Sequence, residues 1–271
     1  MQNRESRIRL RGWPMTLSIV VLCALTVLLD FIKISYTKDA FRNRMLGEIV
    51  QQTCGVGAAI LLIIKSNIKL FNKPQAWLFL IPCVIIAVDN FPFWDVIITR
   101  EISIVNKNPL DILLFAGYCL AVGLFEEIIF RGIVFSVIAS LFENSKKGFI
   151  STYVVSSLIF GAAHIFNGVS LGTLLQIGYT TLTGGMFAFA LIKTKNIFCP
   201  AFIHAVYNFC GISWTVDGLG TGKMFGIGTA VTMLIVCICC GAFILYHVWK
   251  YSDEERNELY AKLNVKGKRK D

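Results

Sequence analysis

The chain has 271 residues, of which 55% are hydrophobic and only 16% charged, and its mean hydropathy is +0.65. An ordinary soluble domain is roughly 45–50% apolar and about 25% charged, so a soluble fold could not hide this much apolar surface. The net charge of +9 comes from basic residues that flank apolar runs, a pattern that argues against nucleic acid as a partner and fits orientation in a membrane.

Read from the start, apolar runs between charged breaks predict about eight transmembrane helices, near 14–32, 47–64, 76–98, 110–140, 149–166, 170–192, 197–214 and 224–249. Helices are expected because the alternating ten-residue pattern of an outer-membrane barrel is absent. The segment Arg4 to Arg11 followed by Met15 to Leu29 imitates a signal peptide, but no small-residue cleavage site follows it, and it is read as a retained first helix. With both termini cytoplasmic and Arg131 set aside as intramembrane, 18 of the 26 Lys and Arg fall inside and 7 outside. That asymmetry predicts a multi-pass protein of the cell membrane in an N-in, C-in arrangement. The nine cysteines lie in or beside apolar segments, without the loop spacing of a disulfide framework or zinc ribbon, and read as small core residues. The tail 251–271 is charged and basic, and is expected to be a cytoplasmic helix end that frays against anionic lipid. With no repeat, low-complexity tract or linker, residues 1–271 read as a single membrane domain.

An ionisable group in hydrocarbon costs a few kcal/mol even on lenient scales, so each one is a functional hypothesis. The fourth run offers three, in Gly123-Leu-Phe-Glu-Glu-Ile-Ile-Phe-Arg131-Gly132. Glu127 and Arg131, four apart, share a helical face and can offset each other's desolvation as a structural ion pair. Glu126 points about 100° away, without a partner on its own helix, which suits a carboxyl that takes and returns a proton. His164 follows Phe160-Gly-Ala-Ala in the fifth run, and His204 stands four residues before Asn208 in the seventh, on one face. At about 1.5 Å per residue, Glu126, His164, His204 and Asn208 all fall in the inner half to middle of the bilayer, where they could hold and activate a water. Asp89 and Asp111 read as kink or interface residues, and Asp30 and His247 as ends of runs; Gly161, Ala162, Ala163, Gly184 and Gly185 read as sites of close helix approach.

Taken together, Glu126-Glu127-x-x-x-Arg131, Phe160-x-x-x-His164 and His204-x-x-x-Asn208 resemble the three motifs of the CPBP family, the CAAX proteases and bacteriocin-processing (Abi) enzymes. The resemblance covers roughly residues 111–214, the peptidase motif core. It implies an all-α polytopic fold of about eight transmembrane helices, with a chamber open toward the cytoplasm. It also implies roles: Glu126 as general base, His164 positioning the water, His204 and Asn208 stabilising the oxyanion, and Glu127 with Arg131 bracing the site. Glu126, His164 and His204 are also the set that would hold a catalytic zinc, and a metal-free glutamate mechanism stands beside that reading, because no His-Glu-x-x-His helix is present.

The function expected is intramembrane hydrolysis of a peptide bond in a membrane-associated peptide or protein. The alternative from another class is a non-catalytic membrane partner of a sensor kinase or bacteriocin system, conferring self-immunity or regulating signalling while keeping the fold. A transporter would also bury carboxylates and histidines, but it predicts a repeated half that the sequence lacks.

Overall fold

A polar residue at the head of four of the five long runs decides where its helix begins. The computed structural model describes residues 35–265 except Val169, and the first apolar run, 14–32, lies outside the described residues. Within them the helices are α1 (Ala40–Ser66), α2 (Ile81–Asp89), α3 (Pro109–Glu127), α4 (Phe135–Leu141), α5 (Lys146–Ala163), α6 (Leu171–Thr194), α7 (Phe198–Ile212), α8 (Ile227–Trp249) and α9 (Asp253–Leu263). The side chains of Asp39, Asn108, Ser145 and Ser170 accept from backbone amides at the starts of α1, α3, α5 and α6, satisfying donors that hydrocarbon would leave unpaired. A π-helical stretch, Ile128–Val134, joins α3 to α4, so that one helical run spans Pro109–Leu141.

Five helical runs among the described residues are long and apolar enough to cross a membrane, and two shorter apolar helices, Trp77–Asp89 and Phe198–Ile212, accompany them. The protein is an all-α polytopic membrane protein. Its centre is α6, where every residue from Thr183 to Thr194 is buried. A helix enclosed on all sides must be apolar all round, which is why this run carries no charge before Lys193. Leu113, Leu182 and Ile238 instead project outward, as lipid-facing side chains do.

Three expectations are corrected. The second run begins at Ala40 and not near 47, because Arg42 and Arg44 end it in ion pairs with Asp111 and Asp217. The third run is broken: α2 stops at Asp89, the Asn90 amide side chain donates to the Tyr207 carbonyl 2.9 Å away, and a separate π turn, Trp94–Ile98, follows Pro92. The tail does not fray over its first half. Ser252 and Glu255 form a reciprocal capping box at the start of α9, and Leu259, Tyr260 and Leu263 are buried against the bundle. Its polar face is tied down as well: Lys193 meets Glu255 at 3.1 Å, Lys195 meets Glu258 at 2.7 Å, and the buried Arg256 donates to Asn144 and Asp253 at 2.7 Å each.

Close approach is concentrated at glycines. A Cβ on Gly123 would stand 2.7 Å from the Ala201 carbonyl oxygen, so α3 and α7 cross almost backbone to backbone there. Gly161 meets Thr181 and Ile177 in the same way, and Gly184 and Gly185 meet Phe160, Ser157 and Tyr153, which brings α5 and α6 together. Helices α1 and α3 run parallel: Arg42 pairs with Asp111, Ile49 touches Gly117, Gly55 touches Phe125 and Ile63 touches Gly132, a separation of 68 to 70 positions each time.

The docking of α9 is testable. The Lys195 ammonium, hydrogen-bonded to the Glu258 carboxylate, holds that carboxyl below its ordinary range. A lowered native value contributes stability that is present above the unfolded value and lost as pH falls through the native one, so α9 should loosen below about pH 4. Arg256→Ala should loosen it at neutral pH by about 1–3 kcal/mol, because Asn144 and the capping turn lose a charge-assisted donor. Limited proteolysis in detergent, with pepsin for the acid arm and trypsin at neutral pH, reads both effects as faster release of the C-terminal peptide, with the core unchanged.

Candidate active site

Polar groups of three separate helices meet where α3, α6 and α7 pack together, and the most deeply buried side chain among them is Glu127, with no exposed surface. Its Oε1 lies 2.8 Å from Nδ1 of His204 on α7 and 3.1 Å from Nη1 of Arg131, in the π stretch one turn further on. The Arg131 contact is an ion pair whose angle does not make a hydrogen bond, and Glu127 Oε2 has no hydrogen-bond partner among the described residues. Arg131 donates instead from Nη2 to the Gly184 carbonyl at 2.9 Å, a contact that the close packing of α6 makes possible. Its guanidinium lies 4.1 Å over the Phe160 ring and 5.2 Å from that of Phe187. Two aromatic faces and one carbonyl therefore replace the water that this cation has lost.

His204 is fixed in three directions. Phe187 stacks on it at 4.5 Å with the planes 14° apart, Phe160 meets it edge-on at 5.9 Å, and Glu127 holds Nδ1. Its free nitrogen, Nε2, faces the Glu126 carboxylate at 3.9 Å. Glu126 differs from its neighbour by being accessible: 27% of its side chain is exposed, against none of Glu127. One residue of helical rotation thus separates a sealed carboxylate from one that a water or substrate can reach.

His164 stands at the end of α5, where Nδ1 lies 3.0 Å from the Phe160 carbonyl oxygen and the ring packs against Phe160 at 5.2 Å. That bond leaves Nε2 as its available nitrogen. Asn208 is half-buried, one turn beyond His204 on the same face of α7. Among the described residues no group of three or more His, Cys, Asp or Glu side chains gathers as a metal site, so Glu126, His164 and His204 do not stand together at ligating distances.

The geometry joins Glu127 and Arg131 as the sequence suggested, but it also gives Glu127 to His204, which spacing within one helix could not reveal. Phe187 and Gly184 carried no signal beyond lying in an uncharged run, and only the packing of α6 brings them to the site. The other buried carboxylate named from the sequence, Asp111, is an interface residue, held by Arg42 at 2.6 Å and Asn106 at 3.0 Å. His247 packs among Phe79, Phe243 and Tyr246 near the end of α8.

Residues 108–210 match the model of the family described as Type II CAAX prenyl endopeptidase Rce1-like, a stretch that contains Glu126, Glu127, Arg131, His164, His204 and Asn208. Over 100 residues, 32% of this chain, it is 29% identical to "CAAX prenyl protease 2" of Saccharomyces cerevisiae. Over 83 residues, 31% of this chain, it is 37% identical to "Putative membrane peptidase YdiL" of Bacillus subtilis. The similarity spans only 32% and 29% of those two proteins' own lengths. No solved structure matches the chain.

The brace can be tested without any assay of activity. Arg131→Met leaves Glu127 as a buried, uncompensated carboxylate beside His204, a loss of about 3–5 kcal/mol. Thermal unfolding in detergent should fall sharply for that variant and be largely restored in the double variant Arg131→Met with Glu127→Gln. Normal accumulation and unfolding of the single variant would refute the brace.

Proposed function

Because residues 108–210 resemble the CAAX endopeptidases, we propose that this chain is an intramembrane endopeptidase that hydrolyses a peptide bond in a membrane-associated peptide or protein. The observation that carries the proposal is the pairing of an accessible carboxylate, Glu126, with a histidine whose other nitrogen is anchored on a sealed Glu127–Arg131 pair. A packing role requires no such division between a reachable and a sealed group.

In this reading Glu126 takes a proton from a water as the water oxygen attacks the scissile carbonyl carbon, and passes it to the departing amine as the C–N bond breaks. His164, with Nδ1 on the Phe160 carbonyl, turns Nε2 toward that water. His204 and Asn208 donate to the oxyanion that develops on the carbonyl oxygen. For His204, whose Nδ1 is engaged by Glu127, the nitrogen left for this contact is Nε2. Phe187, Phe160 and Glu127 hold the ring still, so its donor direction is set before substrate arrives. No step is routed through a metal, because the three candidate ligands do not gather. The charge asymmetry of the loops supports a site reached from the cytoplasmic side, with both termini there.

Cleavage of a panel of membrane peptides by purified protein tests the proposal. Glu126→Gln and His164→Ala should each lower kcat/KM by about 10²-fold or more. Metal content is measured on the same samples: stoichiometric zinc lost with the same variants would make the enzyme a metallopeptidase, and metal-free wild type with equal activity a glutamate-type hydrolase. Undiminished cleavage by folded Glu126→Gln would overturn the proposal.

A further inference from the structure

Helix α8 is the most exposed of the five long apolar runs, and it does not pack closely on α5 beside it. Between the two helices lies an apolar groove of about 430 Å³. Ile150, Tyr153 and Val154 line it from α5, and Ala242, Leu245 and Trp249 from α8, each set at the spacing of one helical face. Tyr153 is buried and closes the floor, whereas Val154, Leu245 and Trp249 are exposed along the walls. From Ala242 to Trp249 the groove follows the helices for two turns, about 10 Å at ~1.5 Å per residue.

Charge is confined to one end of this groove. Lys146 and Lys147 open α5 and Lys250 follows α8, so two helices bring three lysines to the same rim, while the rest of both helices holds no Asp, Glu, Lys or Arg. The Lys146 ammonium lies 4.4 Å over the Trp249 ring, which carries it across the mouth from one wall to the other. Other charges at this end are paired: Lys193 and Lys195 meet Glu255 and Glu258, and Arg256 meets Asp253. Among the described residues Lys146, Lys147 and Lys250 have no carboxylate partner, and Glu143 and Glu254 pair with none of them. A ligand that suits the groove is apolar over two helical turns and anionic at one end, which is the chemistry of an acidic phospholipid. Basic pockets between transmembrane helices hold such head groups.

We infer that this groove is a binding site for one anionic phospholipid of the leaflet next to α9, with an acyl chain between α5 and α8 and the head group held by Lys146, Lys147 and Lys250. The site does not depend on the peptidase reading, yet it lies directly behind the proposed centre. The hydroxyl of Tyr153, whose ring floors the groove, would stand 2.7 Å from a Cβ at position 185, and the carbonyl of the neighbouring Gly184 accepts from Arg131. A bound chain therefore packs on the ring that backs the Glu127–Arg131 pair, and it fills a side of α8 that the protein leaves open.

The test places the full chain in phosphatidylcholine vesicles and uses lipids with brominated acyl chains as quenchers of tryptophan fluorescence. Emission from Trp249 is read as the difference between wild type and Trp249→Phe. Brominated phosphatidylglycerol should quench it at a mole fraction about fivefold or more below that of brominated phosphatidylcholine, the preference expected from even one lysine near an acidic head group. Lys146→Gln, Lys147→Gln and Lys250→Gln together should bring that ratio close to one. Ala242→Phe, which sets a ring in the groove two turns from the rim, should remove the same preference with the three lysines still in place. All four positions are exposed, so gel filtration of the variants should match wild type. Equal quenching by the two lipids, or a preference that survives either the lysine variant or Ala242→Phe, overturns the site. A dimer in detergent that Ala242→Phe disperses would give the groove to a second copy of this chain and overturn it as well.

Discussion

The burial of Glu127 against Arg131 and His204 is the constraint on which the rest of this structure depends. Neither charge would be tolerable alone in a low-dielectric interior, and each is made so by partners from other helices. Glu127 belongs to α3, His204 to α7, and Arg131 reaches the carbonyl of Gly184 on α6. Three helices are therefore locked in rotation and depth by one set of polar contacts, in a solvent that offers no hydrophobic drive for helices to associate.

That lock demands unusually close packing, and the small residues follow from it. Arg131 meets the Gly184 carbonyl because a side chain at position 184 would press on Phe160 and on the Ser157 carbonyl. His204 comes level with Glu127 because Gly123 lets α7 lie on the α3 backbone. The π stretch from Ile128 to Val134 sits immediately after the two glutamates, where widening of the helix turns Arg131 and the following residues relative to Glu126. The aromatic rings complete the arrangement: Phe160 and Phe187 each touch both Arg131 and His204, so the cation and the imidazole share one apolar wall.

Much of this was legible in the sequence, for identifiable reasons. Seven apolar runs correspond to helical segments because an uncharged stretch of about 20 residues has few alternatives in a bilayer. The Glu127–Arg131 pair was legible because both partners lie on one helix, where spacing determines contact. The Glu127–His204 bond was not, since nothing in a linear pattern relates residues 77 positions apart on different helices. The break after Asp89 escaped for a related reason: Asn90 looks like any polar residue until its amide is seen on the Tyr207 carbonyl. The docking of the tail is hard to read because its composition is that of a solvated helix: its buried side holds the charged Arg256, and its buried apolar residues are Leu259, Tyr260 and Leu263, too few to register as an apolar face.

The position of α9 also bears on how the interior can be so polar and still hold its shape. Its acidic side chains pair with Lys193 and Lys195 at the end of the central helix, and the Leu263 carbonyl accepts from the Lys69 amide just beyond α1. At the opposite end Arg42 ties α1 to α3 through Asp111, and Met45, Phe115, Cys119 and Leu219 close the bundle. Helix α1 is thus fastened at both ends by charged and hydrogen-bonded contacts. Between its two rims the Glu127–Arg131–His204 set lies inside a closely packed apolar core, so the loss that its burial entails is offset by its own contacts and by those at the helix ends.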